Sequence, residues 1–123
     1  MANRKSDTIR IRHMADAARK AVLFTQTKSR IDLDTDEQLA LALVRLIEII
    51  GEAASKVTEE IKVQFPIIPW KNIVGTRNRI IHAYENVDYD ILWQIVHVDL
   101  PVLIQQLEEV LHNLKHDDQQ SGF

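Results

Sequence analysis

Between Asp36 and Val63 the apolar residues Leu39, Leu43, Leu46, Ile47, Ile50, Ala54, Val57 and Ile61 recur at helical spacing. Side chains three and four positions apart stack on one side of a helix, so this stretch predicts one long helix with a buried face. Thr35 followed by Gln38 has the pattern of a capping box at its start. Leu41, Val44 and Ile49 widen the stripe beyond a single face. A helix apolar on several sides must be covered on several sides, and in a small domain that implies cover from a second chain. Gly51, Ala53 and Ala54 would admit a further helix at close range.

Three more helices complete the expectation. The first spans about Asp7 to Thr27, with Ile11, Met14, Ala18, Ala21 and Val22 at helical spacing and Ser6 or Asp7 as its cap. Polar residues Lys28 to Asp34 read as a loop. The third helix is expected from Pro69 to about Tyr84, since proline suits a first helical turn. The fourth runs from Tyr89 to about Lys115 behind Asp88 as N-cap, kinked at Pro101. Only three glycines and three prolines punctuate the 123 residues, so long elements with short connections are expected: one domain over residues 1–123, an up-down four-helix bundle, all-α, with residues 116–123 frayed.

Charge narrows the partners. The net formal charge is −3, which speaks against a generic nucleic-acid binder. Its distribution is uneven: residues 1–30 carry eight Lys/Arg against two acids, and residues 85–123 carry one against eight. From Ile61 to Tyr84 there are four bases (Lys62, Lys71, Arg77 and Arg79) and no acid. A phosphate-bearing partner is drawn to that stretch and to the first helix, and repelled by the tail; a plainly solvated surface accounts for the same pattern. The absence of cysteine excludes disulfides, thiolate metal sites and a cysteine nucleophile. No apolar run reaches the roughly 20 residues that span a bilayer, and Met1–Arg12 lacks the apolar core of a signal peptide, so the chain reads as cytoplasmic.

Chemistry concentrates in Gly75-Thr76-Arg77-Asn78-Arg79-Ile80-Ile81-His82-Ala83-Tyr84. Asn78 and His82 are four apart and so stack on one face of the third helix, with Arg77 about 100° round from Asn78. Metal-free RNA cleavage needs a base for the ribose 2′-hydroxyl, an acid for the leaving 5′-oxygen and a fixed cation for the phosphorane. Histidine can serve as base or acid near neutrality, and arginine forks onto phosphate oxygens without losing its charge. One chain offers one such histidine here; two third helices related by a two-fold axis would offer two. On chemistry alone, a lone histidine on a helix is more often a surface or capped residue than a catalyst.

Arg77-Asn78-x-x-x-His82-x-Tyr84 resembles the Arg-Asn-x-x-x-His-x-Tyr signature of the HepT-like branch of HEPN proteins. Arg45–Ala54, Ile68-Pro69-Trp70, Val87–Trp93 and Asp99-Leu100-Pro101 resemble that branch in the same order and spacing, so the resemblance covers about Leu39 to Leu111. The first 35 residues match only in helical character. The resemblance implies a HEPN four-helix bundle, a homodimer with a composite cleft, and a metal-independent endoribonuclease toxin leaving a 2′,3′-cyclic phosphate. In these terms Arg77 stabilises the phosphorane, His82 is base or acid, and Asn78 orients the site; Lys71 and Arg79 are further RNA contacts. It also implies a type VII-like toxin–antitoxin pair, in which an MntA-type minimal nucleotidyltransferase transfers AMP from ATP onto Tyr84. No cofactor and no metal ligand set are expected.

The alternative is a non-catalytic HEPN dimer that holds a nucleotidyltransferase or its nucleotide. His112 and His116 have a metal-compatible spacing, but beside Asp117 and Asp118 they read as a solvated end. Glu48 and Glu52, one turn apart, either pair with Arg45 or face the cleft. Trp70 and Trp93 read as packing residues, and His13 and His97 have no assigned role.

Overall fold

A computed structural model describes residues 4–81 and 86–120, with side chains as far as His116. Among these residues every regular element is helical, as the apolar periodicity predicts, and an isolated antiparallel bridge joins Ile81 to Val87. The helices are α1 (Arg4–Phe24), α2 (Asp32–Thr35), α3 (Glu37–Ser55), α4 (Glu59–Gln64), α5 (Trp70–Ile80), α6 (Tyr89–Gln94) and α7 (Leu100–Gln120), with a π-helical segment, Ile95–Asp99, between the last two. Helix α3 is central: α1 packs on one side of it and α5 on another, while α7 packs on α1.

The boundaries differ from expectation in instructive ways. The cap of α3 is Asp36, whose side chain accepts from Leu39 N at 3.0 Å; Thr35 belongs to α2, which occupies part of the expected loop. The single helix expected to Val63 breaks at Lys56–Thr58. Thr58 is extended, and its backbone N and Oγ1 both donate to Asp7, at 2.9 and 2.7 Å. A helical Thr58 would have given that N–H to Ala54, so a carboxylate from α1 captures the group that would have continued α3. Asp7 is therefore buried inside α1 and does not cap it.

Two other departures lie nearer the motif. Helix α5 ends at Ile80 and not at Tyr84. Ile81 is extended (φ −110°, ψ 117°) and bridges to Val87, and Asp88 N donates to Ile80 O at 2.7 Å. Asp88 caps α6 as expected, accepting from Ile91 N at 3.1 Å. The irregularity expected at Pro101 appears as the π-helical segment just before it, in which Leu100 N reaches back to Ile95 O. Proline cannot donate and crowds the preceding carbonyl turn, and a widened turn relieves both. Beyond it α7 continues to Gln120, where a frayed end was expected.

The wide stripe of α3 is largely covered within the chain. Leu39, Leu43, Val44, Leu46, Ile47 and Ile50 are buried, Ile49 is half-buried, and only Leu41 stands out at 59% exposed. The close approach expected at Gly51 is made by α5 of the same chain: a Cβ there would lie 3.4 Å from Ile73 O and 3.8 Å from Val74 O. Stripe width therefore does not by itself demand a second chain. Arg30 ties the α1–α2 connection to the start of α6 through Asp90 (2.7 Å), pairs locally with Asp34 of α2 (3.1 Å), and lies over the Tyr89 ring. The hydrogen bond to Asp90, then that to Asp34, raises the pKa of this half-buried guanidinium.

Candidate active site

Helix α5 buries Trp70, Ile73, Thr76 and Ile80 and leaves Lys71, Asn72, Val74, Arg77, Asn78 and Arg79 exposed. The buried set follows the three-and-four spacing that α3 presents to it. Trp70 anchors the helix start by donating Nε1 to Phe65 O at 3.1 Å, and Thr76 turns its hydroxyl back to Asn72 O at 2.6 Å. Both polar groups are thus spent inside the fold. Trp70 is a packing residue, as expected; Trp93 is half-buried and stacks on exposed His97 at 4.0 Å.

Arg77 projects over the α3–α5 seam, where its Nε donates to Glu48 Oε2 at 3.2 Å. Ile47, Glu48, Gly51, Glu52, Ser55, Val74 and Arg77 line a hollow of about 210 Å³ on that seam. Glu52 pairs instead with Arg45, at 3.4 Å. The sequence left both carboxylates to Arg45 or to a cleft; the structure divides them, one to each arginine. A signal for this was available in Gly51, one turn beyond Glu48, which lets the α5 backbone come close enough for a side chain on α5 to reach back.

The other expected RNA contacts do not converge on Arg77. Lys71 lines a hollow with Ser55, Glu59, Lys62, Val63, Trp70 and Val74, which adjoins the Arg77 hollow through shared Ser55 and Val74. Arg79, about half a turn from Arg77, opens on the opposite side of α5 into a groove of about 440 Å³ against the π-helical segment and α7. Asn78 is exposed between them. His82 and Tyr84 lie outside the described residues; α5 ends at Ile80, before either of them. His112 is exposed on a hollow shared with Arg12, Arg19 and Lys115. Among the described residues no three His, Asp or Glu side chains converge as a metal-holding group, and no helix is long and apolar enough to cross a membrane.

The family described as Ribonuclease HepT-like matches residues 14–110. That span takes in about half of α1, all of α3 and α5, and the whole Arg77–Tyr84 stretch, so the chain belongs to the HepT-like HEPN family. The likeness reaches back to Met14, well before the Leu39 at which the motif resemblance begins. Among its relatives, a Methanocaldococcus jannaschii protein named "Putative RNase" is 35% identical over 95 residues, covering 77% of this chain and 87% of the relative. A Caldanaerobacter subterraneus protein of the same description is 38% identical over 84 residues, covering 68% and 75%. A Thermococcus cleftensis protein named "Probable ribonuclease HepT" is 34% identical over 97 residues, covering 79% and 88%. No solved structure matches the chain.

Proposed function

We propose that this chain is a metal-independent endoribonuclease toxin that acts as a homodimer. The observation that carries the reading is the exposure of Arg77 and Asn78 on α5 inside a stretch matched by a ribonuclease family. In the reaction a base removes the 2′-hydroxyl proton, O2′ attacks the adjacent phosphorus, and the 5′-oxygen leaves with a proton from an acid. The products are a 2′,3′-cyclic phosphate and a free 5′-hydroxyl. Arg77 holds the charge that grows on the phosphorane. His82 supplies proton transfer, its partner in the dimer supplying the complementary step. Asn78 orients the phosphate, and Lys71 and Arg79 hold flanking RNA.

In this reading α1, α3, α5 and the α6–α7 run are the four legs of an up-down HEPN bundle. A second copy covers exposed Ile67, Val98 and Val102 beside the 440 Å³ groove. Control comes from a minimal nucleotidyltransferase of the MntA type: the Tyr84 hydroxyl attacks the α-phosphorus of ATP, pyrophosphate leaves, and the added phosphodiester competes with RNA for Arg77. Co-expression with such an enzyme adds mass in AMP units, and Tyr84→Phe removes it.

The deciding experiment is to incubate the purified chain with RNA in excess chelator and characterise the ends. Cleavage that persists and leaves 2′,3′-cyclic phosphates is expected. Activity that vanishes with chelator and returns with Mg²⁺, or 5′-phosphate products, would overturn the metal-free mechanism. A chain that binds the nucleotidyltransferase tightly yet cuts no RNA would favour the scaffold.

A further inference from the structure

The carboxylate of Glu48 meets Arg77 on one particular edge. The contact is through Nε, the nitrogen nearest the arginine's own chain. It joins α3 to α5 across 29 positions, so no helix-local pairing explains it. The Glu48 side chain is 26% exposed and Arg77 is 49% exposed, so the acid sits in the seam while the guanidinium reaches out of it. Little of this is needed to hold the helices together: Ile50 and Ile73 are buried at the same seam, the backbones approach closely at Gly51, and a half-exposed ion pair adds little. Glu52, the other acid lining the hollow, is held by Arg45.

We infer that Glu48 is the positioning residue for Arg77, fixing its guanidinium by Nε so that the outer Nη1–Nη2 edge faces the reacting phosphate of RNA. This rests on the reading of Arg77 given above. An untethered arginine has many rotamers and must be ordered as the reaction proceeds; one held by its inner edge is ordered beforehand, and its outer fork matches two phosphate oxygens. The same carboxylate repels the RNA backbone in the ground state. Glu48 therefore weakens RNA binding while it speeds the chemical step, which is the division that differential transition-state binding favours. The hollow between them takes the phosphodiester; Gly51 at its floor keeps α3 close enough for the tether to reach.

The test is the kcat and KM of wild type, Glu48→Ala, Glu48→Gln and Arg77→Ala on an RNA oligonucleotide, with thermal melting alongside. Glu48→Ala is expected to lower kcat about 10- to 100-fold, the cost of a misplaced catalytic group, and to lower KM about two- to three-fold as the repulsion goes. Glu48→Gln keeps an acceptor for Nε without the charge. It should restore kcat to within about three-fold of wild type and keep the lowered KM. A role in packing alone would lower melting temperature and leave the ratio of the two constants unmoved. A Glu48→Ala protein with wild-type kcat beside an inactive Arg77→Ala overturns the inference and leaves the reading of Arg77 standing. A fully active Arg77→Ala overturns that reading and the inference with it. Should Glu48→Ala fail to fold, Glu48→Gln with an unchanged KM overturns the proposal.

Discussion

One residue, Asn78, separates Arg77 from Arg79, and about half a turn of α5 separates the surfaces they serve. On the Arg77 side the helix lies close against α3 at Gly51, and the guanidinium is held by a carboxylate over a hollow of about 210 Å³. On the Arg79 side the helix stands back from the π-helical segment and α7, over a groove of about 440 Å³ with exposed Val98 and Val102 at its edge. A tight polar seam can fix one charged group in one orientation. A wide apolar groove cannot, but it can accept the body of another molecule. The same short helix thus has one side where a charged group is held and one side that leaves a wide groove open.

The largest expected effect breaks this contrast if it comes out equal on both sides. Arg77→Ala should slow RNA cleavage by about 10²–10³, the usual cost of one preorganised charge contact. Arg79→Ala should cost only a few-fold, through weaker RNA binding and a shallower salt dependence. Rates measured at saturating RNA separate the two. Comparable losses in kcat from both substitutions would show that the two sides act as one site.

A smaller effect tests tightness directly. Gly51→Leu puts a branched side chain where a Cβ already lies 3.4 Å from Ile73 O, so it should destabilise by about 1–3 kcal/mol as overpacking does. It should also lower cleavage, because α5 is pushed away from Glu48. Val102→Lys, on the open side, should leave the melting temperature near wild type but shift a dimer toward monomer in light scattering. A Gly51→Leu protein that melts like wild type would show that the seam is loose.

Much of this arrangement was legible in the sequence, and the limits of legibility are physical. Local signals carried: the apolar periods of α1, α3 and α7, Asp88 as cap, and the disturbance at Pro101 each depend on residues within a turn or two. The break after α3 was not legible, because it is made by Asp7 from 51 positions away. The end of α5 was not legible either, because Ile81 leaves the helix to pair with Val87. Gly51 could be read as a place of close approach, but not which helix would approach. Glu48 could be read as a pairing acid, but Arg45 on the same helix was the nearer candidate, and only the α3–α5 packing gives Glu48 to Arg77.

The smallest expected effect sharpens the comparison through two helical glycines. Glycine inside a helix costs about 0.5–1 kcal/mol relative to alanine, because it has more backbone freedom to lose. Gly75 lies midway along α5, and a Cβ there would meet nothing within 4 Å. Gly75→Ala should therefore gain most of that free energy, raising the melting temperature by about 2–4 °C for a domain of this size. Gly51 sits in α3 with the same backbone cost, but its Cβ would already be in van der Waals contact with Ile73 O at 3.4 Å, so Gly51→Ala should gain less. Equal gains would mean that α3 and α5 do not bear on one another. The activity of Gly75→Ala adds a further discrimination. If the bare surface at Gly75 is idle, cleavage stays at the wild-type rate in the more stable protein. If RNA or a second copy lies against α5 there, the added methyl raises stability and lowers cleavage together, and the glycine is kept at a cost in helix stability for the sake of what it lets approach.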